Sequence, residues 1–113
     1  MSRDDAWALD IVNAARLALE FVGDMSKDAF LSDRKTQAAV TRQIEIIGEA
    51  AKRLSTGFLA AHPDIALREA ARMRDLVIHR YSNVDPIRLW GVVETGLDEL
   101  ITKLLPLLPT EPD

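Results

Sequence analysis

Apolar residues recur at spacings of three and four along most of the chain, and no stretch alternates long enough for a half-buried strand. This periodicity predicts an all-α fold, an up-and-down bundle of four to five helices. The first predicted helix covers about residues 4–23 and is apolar except for one narrow stripe. That stripe consists of Asp10, Asn13, Arg16 and Glu20. Because such a helix needs cover on several sides, we expect the chain to form a homodimer.

The first half of the chain contains two further predicted helices. A polar connection over residues 23–33 leads to a second helix that reaches about residue 54, with either Ser32 or Asp33 as its N-cap. A short helix over residues 57–61 is expected to stop at His62, because the residue before Pro63 is pushed out of the helical region.

A third long helix is predicted from about residue 64 to residue 79 or 81, followed by a break at residues 82–84. Asp85 and Pro86 have the residue types of an N-cap and first turn, so they open the last helix. Trp7 and Trp90 are interpreted as core residues. A proline-containing tail begins at about residue 106.

Composition narrows the class of protein. A length of 113 residues fits one domain, residues 1–113. The chain has no cysteine, which excludes disulfide scaffolds, thiol nucleophiles and cysteine zinc sites. Neither a secretory signal nor a membrane span is recognisable, so we expect a cytoplasmic protein. A net charge of −4 argues against nucleic-acid binding over the whole surface but leaves room for a local basic patch.

The segment from residue 72 to residue 81 concentrates the reactive side chains. On an ideal helix Arg68, Arg72, Asp75 and His79 share one narrow polar arc. Arg74 falls instead in the middle of the apolar arc. A guanidinium there is costly unless it is paired or lies at a cleft, so this position requires an explanation.

Arg74, His79 and Tyr81 form an Arg-x4-His-x-Tyr pattern. With this spacing the chain resembles the HepT branch of the HEPN ribonuclease superfamily. The segment over residues 41–54 is similar to the family's upstream helix, and Asp85 followed by Trp90 is similar to the start of its last helix. The resemblance covers essentially the whole chain.

The resemblance implies a homodimer in which the Arg and His of both subunits line a cleft and cut RNA without a metal or another cofactor. Family members are toxins of type VII toxin–antitoxin systems, paired with a minimal nucleotidyltransferase antitoxin of the MntA type. That partner transfers AMP from ATP to the motif tyrosine, which here corresponds to Tyr81. On this resemblance Arg74 and His79 are the catalytic residues.

The residue types fit this chemistry. Metal-free RNA cleavage needs a base for the 2′-OH, an acid for the leaving oxygen and positive charge at the phosphate. Histidine is the residue type that commonly transfers protons near neutral pH, so His79 suits the first two roles, while the planar fork of Arg74 suits the third. Asp75, four residues before His79, is placed to orient the imidazole on a helix. Tyr81 offers a ring for stacking and a hydroxyl for modification.

The sequence departs from the family pattern at two cationic positions. Arg72 stands where a glycine is frequent, and Arg80 stands where a small residue often precedes the tyrosine. Both are candidate RNA contacts. A geometric difficulty also arises, since Arg74 and His79 are about 140° apart on an ideal helix. Either the helix loosens before His79, or a second subunit completes the site, and the apolar first helix favours the second explanation.

Several structural interpretations remain open beside the catalytic one. His79 is in the position of a cation at a helix C-terminus, and Arg74 could form a buried pair with Glu45 or Glu49. Tyr81 could be an ordinary half-buried aromatic residue. The chain as a whole could then be a noncatalytic HEPN-like module that binds a nucleotide or a nucleotidyltransferase, or a helical dimerisation domain.

Overall fold

The computed structural model describes residues 2–79 and 83–109, without the side chains of Leu76, Ile78, His79 and Asn83. The elements in these ranges are α1 (Arg3–Val22), α2 (Lys27–Leu31), α3 (Arg34–Lys52), α4 (Thr56–Ala61), α5 (Leu67–Val77), β1 (Ile78–His79), β2 (Asn83–Val84), α6 (Pro86–Gly91), a π-helical turn (Val92–Gly96), α7 (Leu97–Leu104) and a 3-10 turn (Leu105–Leu107).

The long helices pack around one apolar core. Helix α3 lies between α1 and α5, and α1 also packs against α7. The largest completely buried side chains of the core come from most of these helices: Ile11, Phe30, Ile44, Ile47, Leu67, Leu89, Leu97 and Leu104. Burial of each stabilises the fold by about 1.5–3 kcal/mol relative to exposure. The all-α prediction is confirmed.

Carboxylate caps fix where two of the long helices begin. Asp33, rather than Ser32, caps α3: its Oδ1 accepts a hydrogen bond from the Thr36 amide at 3.0 Å. This bond and a second one from the Thr36 hydroxyl lower the pKa of Asp33. Asp85 caps the last helix, accepting from the amides of Ile87 and Arg88. The prediction of the Asp85 cap is therefore confirmed.

The expected connection over residues 23–33 contains a helix that periodicity did not predict. Helix α2 has only five residues, too few for a repeating pattern, and is capped by the Ser26 hydroxyl. Its Phe30 is completely buried, and the Gln37 side chain donates a hydrogen bond to the Phe30 carbonyl at 2.9 Å. One buried aromatic residue thus anchors a segment whose other residues are mostly polar.

The last helix is not regular along its length. It passes from α6 into the π-helical turn and then into α7. In this region Trp90 donates from Nε1 to Glu94 at 3.0 Å, and its ring centroid lies 5.2 Å from that of Phe30. Trp90 and Trp7 pack against the core, as expected, but stay partly exposed and so lie at its edge.

Helix α1 is covered largely within its own chain. Its buried residues are Ala8, Ile11, Val12, Ala14, Ala15, Ala18 and Val22. Leu17 and Phe21 remain 37% and 41% exposed. A single chain therefore covers most of α1, so this helix does not by itself require a second subunit. The homodimer remains a prediction.

The proline-containing segment begins with the 3-10 turn, and Leu108 after it still packs against the core. Residues 110–113 lie outside the described part of the chain. Within residues 2–79 and 83–109, no helix has the length and apolar character needed to cross a membrane.

The N-terminus of α1 is bonded to the start of α4. Asp4 accepts a hydrogen bond from the Ser55 amide at 2.8 Å and another from the Ser55 hydroxyl at 2.6 Å. The same hydroxyl accepts from the Phe58 amide and so caps α4. The hydroxyl bond, followed by the amide bond, lowers the pKa of Asp4 below its ordinary value of 3.8.

This pair predicts a pH-dependent contribution to stability. Since the folded pKa of Asp4 is lowered, its stabilisation is complete above the unfolded pKa and is lost as pH falls through the folded one. Asp4→Asn should lower the urea midpoint at about pH 7, and its difference from the original chain should shrink towards about pH 3. Asp10→Asn makes the same charge change on the same helix and serves as the control. A pH-independent effect of Asp4→Asn would contradict the assignment.

Candidate active site

Arg74 lies in a groove between α3 and α5. The groove is lined by residues of both helices, chiefly Arg42, Glu45, Gly48, Glu49, Lys52 and Arg74; we call it the α3–α5 groove. The Arg74 side chain is 50% exposed, so the guanidinium is accessible although its Cα belongs to the apolar arc. Arginine can bury its aliphatic stem and keep its charged end in water, and this groove provides the opening.

Gly48 lines this groove where α3 meets α5. A Cβ added at Gly48 would stand 3.5 Å from the Ala71 carbonyl oxygen and 4.0 Å from the Cβ of Arg74. The backbones of α3 and α5 therefore approach closely at this point, and the Arg74 stem starts directly over the glycine. The small residue explains how an arginine fits at a position that the helical pattern marks as apolar.

The ion pairs around the groove are not the pairs of Arg74 with Glu45 or Glu49 that the sequence allowed. Arg74 is paired with its neighbour Asp75, at 3.8 Å. Glu45 is paired with Arg42 at 3.6 Å, and Glu49 with Arg53 at 3.3 Å. Among the described residues Arg74 forms no pair with Glu45 or Glu49. The interpretation of Arg74 as part of a buried structural pair is therefore wrong. Exposed pairs of this kind hold side chains weakly, by about 0–1 kcal/mol.

The chain leaves the helical conformation before it reaches His79. Helix α5 ends at Val77, whereas the sequence predicted a helix to residue 79 or 81, and β1 pairs antiparallel with β2. The Asp85 amide donates to the Val77 carbonyl at 2.7 Å and satisfies a helix-terminal acceptor. The β-branched pair Val77 and Ile78 favours this transition, because branched side chains fit an extended strand better than a helix.

This early end changes the predicted geometry. The offset of about 140° between Arg74 and His79 assumes a continuous helix and no longer applies. Of the two explanations, the structure shows the loosened helix; it does not test the second subunit. The helical relation by which Asp75 would orient His79 is also lost, since the two residues no longer belong to one helix. Asp75 contacts the Arg74 guanidinium instead.

The remaining motif residues are described only in part. His79 occupies β1 and pairs with Asn83, but its side chain is outside the description. Arg80 and Tyr81 lie outside the described residues altogether. Arg72 is exposed on α5 and does not line the groove, because it stands about 160° from Arg74 around the helix.

Sequence reasoning missed the cations that α3 contributes to this site. Arg42 and Lys52 line the groove together with Arg53, and all three are exposed. In the sequence these cations belong to the polar face of α3, opposite its core face. Such a face ordinarily indicates a solvated surface, so the cations did not stand out. Only the contact of α3 with α5 places that face beside Arg74.

The sequence profile of the family described as "Ribonuclease HepT-like" matches residues 11–106. This span contains α3, α5 and the complete Arg-x4-His-x-Tyr pattern. The chain belongs to the HepT-like family. The resemblance inferred from the motif residues is thereby confirmed.

Individual relatives agree with this HepT-like assignment. A protein of Thermococcus cleftensis named "Probable ribonuclease HepT" is 46% identical over 80% of this chain and 83% of its own length. Two proteins of Methanocaldococcus jannaschii are named "Putative RNase MJ0127" and "Putative RNase MJ1380". They are 39% and 31% identical, over 78% and 88% of this chain and 73% and 94% of their own lengths. No solved structure gives a significant match.

The close contact of α3 and α5 in this HepT-like chain predicts unequal effects of substitution at two helical glycines, Gly48 and Gly91. Gly48→Ala adds a methyl at ordinary contact distance, so unfolding free energy should stay unchanged or rise by up to about 1 kcal/mol. Gly48→Leu should push α5 away and cost about 1–3 kcal/mol in urea denaturation. Gly91, around which a Cβ would find open space, is the control: its Leu variant should be tolerated. Equal stability of the two Leu variants would contradict the close helix contact.

Proposed function

We propose that this chain is a cytoplasmic, metal-independent endoribonuclease and the toxin of a type VII toxin–antitoxin system. The observation that carries the proposal is the accessible Arg74 guanidinium in the α3–α5 groove of a HepT-like chain. An accessible guanidinium can bind phosphate oxygens through its planar fork of N–H donors. The relative named as a ribonuclease, at 46% identity, supports the same activity.

Each motif residue has a defined role in the proposed reaction. The 2′-oxygen of RNA attacks the adjacent phosphorus while the bond to the 5′-oxygen breaks. His79 takes the 2′-OH proton or supplies one to the leaving oxygen. Arg74 binds the phosphate oxygens, whose charge density rises in the transition state. Asp75 supports the site by holding Arg74 through their ion pair.

The site is proposed to be completed in a homodimer. Arg74 is open to solvent in the single chain, so a second subunit can bring its own Arg74 and His79 to the same cleft. Two copies of each group supply both a base and an acid, which a single imidazole cannot provide in one step. Arg72 and Arg80 are proposed as further RNA contacts outside the α3–α5 groove.

The antitoxin is proposed to be an MntA-like minimal nucleotidyltransferase that modifies Tyr81. The phenolic oxygen attacks the α-phosphorus of ATP, pyrophosphate leaves and the phenolic proton is released. The product carries a bulky, negatively charged nucleotide two residues from His79. It would repel the substrate phosphate and block the cleft, which explains neutralisation by charge and volume together.

His79→Ala tests the catalytic assignment. Loss of a general acid–base group should lower the rate of RNA cleavage by about 100-fold or more. Arg74→Lys keeps the charge but loses the planar fork, so it should retain only part of the activity. Cleavage is followed with a single-stranded RNA in excess EDTA, which should leave the original chain active.

Sedimentation velocity and circular dichroism control for loss of the dimer or of the fold. Unchanged cleavage by a folded His79→Ala variant would contradict the catalytic role and favour the noncatalytic module. Abolition of cleavage by EDTA, restored by a divalent metal, would contradict metal independence.

Tyr81→Phe tests the modification. Incubation of the chain with its nucleotidyltransferase partner and ATP should raise the intact mass by one or more AMP units and stop RNA cleavage. Tyr81→Phe lacks the attacking oxygen, so its mass should not change. An equal mass increase in the Phe variant would place the modification on another residue.

A further inference from the structure

A trench of alternating charge extends from the α3–α5 groove across α3 to the N-terminal part of α1. A depression beside the groove shares Arg42, Glu49 and Arg53 with it. The next depression shares Arg53, Asp10 and Trp7 with that one. The three are therefore contiguous on the surface, and Arg74 stands at one end while Trp7 stands at the other.

We infer that this trench is a binding path for single-stranded RNA, in which Arg42 and Arg53 hold phosphates between Arg74 and Trp7, and Trp7 stacks with a base. The inference rests on the proposed ribonuclease function and extends it to the recognition of substrate outside the reacting phosphate. The trench gives this chain a substrate-binding region that the Arg-x4-His-x-Tyr pattern does not contain.

The positions of the cations fit a strand that leads from Arg74 towards Trp7. Gly48, which lies under Arg74, is six residues after Arg42 and five before Arg53 on α3. At 1.5 Å per residue, the two arginines start about 9 Å and about 8 Å from Gly48 along the helix axis. Long arginine side chains can cover these distances to the phosphates that follow the reacting one towards Trp7.

The guanidiniums retain donors for a ligand. The Arg42 and Arg53 side chains are 67% and 55% exposed. Arg42 lies 3.6 Å from its carboxylate partner, beyond hydrogen-bond distance, and Arg53 uses one hydrogen bond to Glu49. A guanidinium has five N–H donors, so each arginine can bind a phosphate at the expense of a weak surface pair.

Trp7 supplies the other contact that single-stranded nucleic acids need. The Arg53 guanidinium carbon lies 5.1 Å from the centroid of the Trp7 ring, in a cation–π contact, and the ring is partly exposed. Unpaired bases stack on such rings regardless of sequence, and a neighbouring arginine adds to the attraction. An RNA duplex hides its base faces, so this combination favours a single strand.

Charge distinguishes RNA from a second protein copy as the occupant. The α3–α5 groove has four cations and two carboxylates, a formal charge of +2 on a chain whose net charge is −4. The whole trench adds Arg3, Asp4 and Asp10, which gives a formal charge of +1. The centres of protein–protein interfaces are depleted of charged residues, whereas nucleic-acid surfaces are enriched in them. The trench is rich in charged residues and therefore resembles a nucleic-acid surface.

The test measures binding separately from cleavage. The probe is a fluorescein-labelled, 2′-O-methyl single-stranded oligonucleotide, which lacks the attacking hydroxyl. The double variant Arg42→Ala/Arg53→Ala should bind it about tenfold more weakly, and the log–log salt slope should fall by about 1.4 for two lost phosphate contacts. Arg16→Ala/Lys27→Ala removes the same charge from exposed positions outside the trench and should keep the original slope.

Trp7 provides an independent readout. The chain has two tryptophans, so Trp90→Phe leaves Trp7 as the only one. The unlabelled oligonucleotide should quench its emission, with a midpoint that matches the anisotropy titration. If Trp90→Phe does not fold, the salt slope of the arginine variants still decides the question. A folded Trp90→Phe variant that binds the oligonucleotide without a change in emission would overturn the stacking.

The outcomes separate this inference from the proposed function. Normal RNA cleavage with unchanged oligonucleotide binding in Arg42→Ala/Arg53→Ala would overturn the trench and leave the ribonuclease standing. Trench-dependent binding without any cleavage by the original chain would support the trench and overturn the ribonuclease. A change of oligomeric state with unchanged oligonucleotide binding would assign this face to a contact between copies and overturn the inference.

Discussion

The close approach of α3 and α5 at Gly48 determines where the Arg74 guanidinium can lie. With any large side chain at Gly48, the two backbones would separate and the Arg74 stem would lose its surface. The approach also brings the charged face of α3 beside Arg74. The helix contact at Gly48 therefore sets both the position of Arg74 and the charged residues that surround it.

Asp85 connects the end of α5 to the start of α6 through hydrogen bonds on both sides. Asp85 donates its backbone amide to the Val77 carbonyl and accepts two amides of the next helix through its carboxylate. One residue thus completes the end of α5 and starts α6. The backbone of His79 is held between these two points by its pairing with Asn83. The location of the motif histidine is set by the fold rather than by a continuous helix.

The sequence predicted those parts of the fold that depend on local chemistry. The cap of α3 was readable as Ser32 or Asp33, the cap of α6 as Asp85 and the helix stop as His62. Each uses a short side chain or a proline next to the helix terminus. Helix α2 was missed because five residues contain too little periodicity. The end of α5 was misplaced because it depends on pairing with residues several positions later.

The candidate site, like the fold, could be predicted only in part from the sequence. The sequence singled out Arg74 because a guanidinium contradicted its apolar surroundings, and this kind of conflict is visible without a structure. It could not identify Arg42 or Arg53, because both satisfy the pattern of an ordinary exposed helix face. Their relation to Arg74 is a tertiary contact between α3 and α5, which no local pattern encodes.

The carboxylates of the groove explain how a cationic surface can exist on an acidic chain. Glu45, Glu49 and Asp75 neutralise neighbouring arginines through pairs that contribute about 0–1 kcal/mol each. A hydrogen bond from a guanidinium to a charged phosphate is worth about 1.5–3 kcal/mol. Because these pairs are weak and exposed, each arginine can exchange its carboxylate for a phosphate. The groove keeps a formal charge of +2 beside these pairs, so a surface that attracts phosphate persists on an acidic chain.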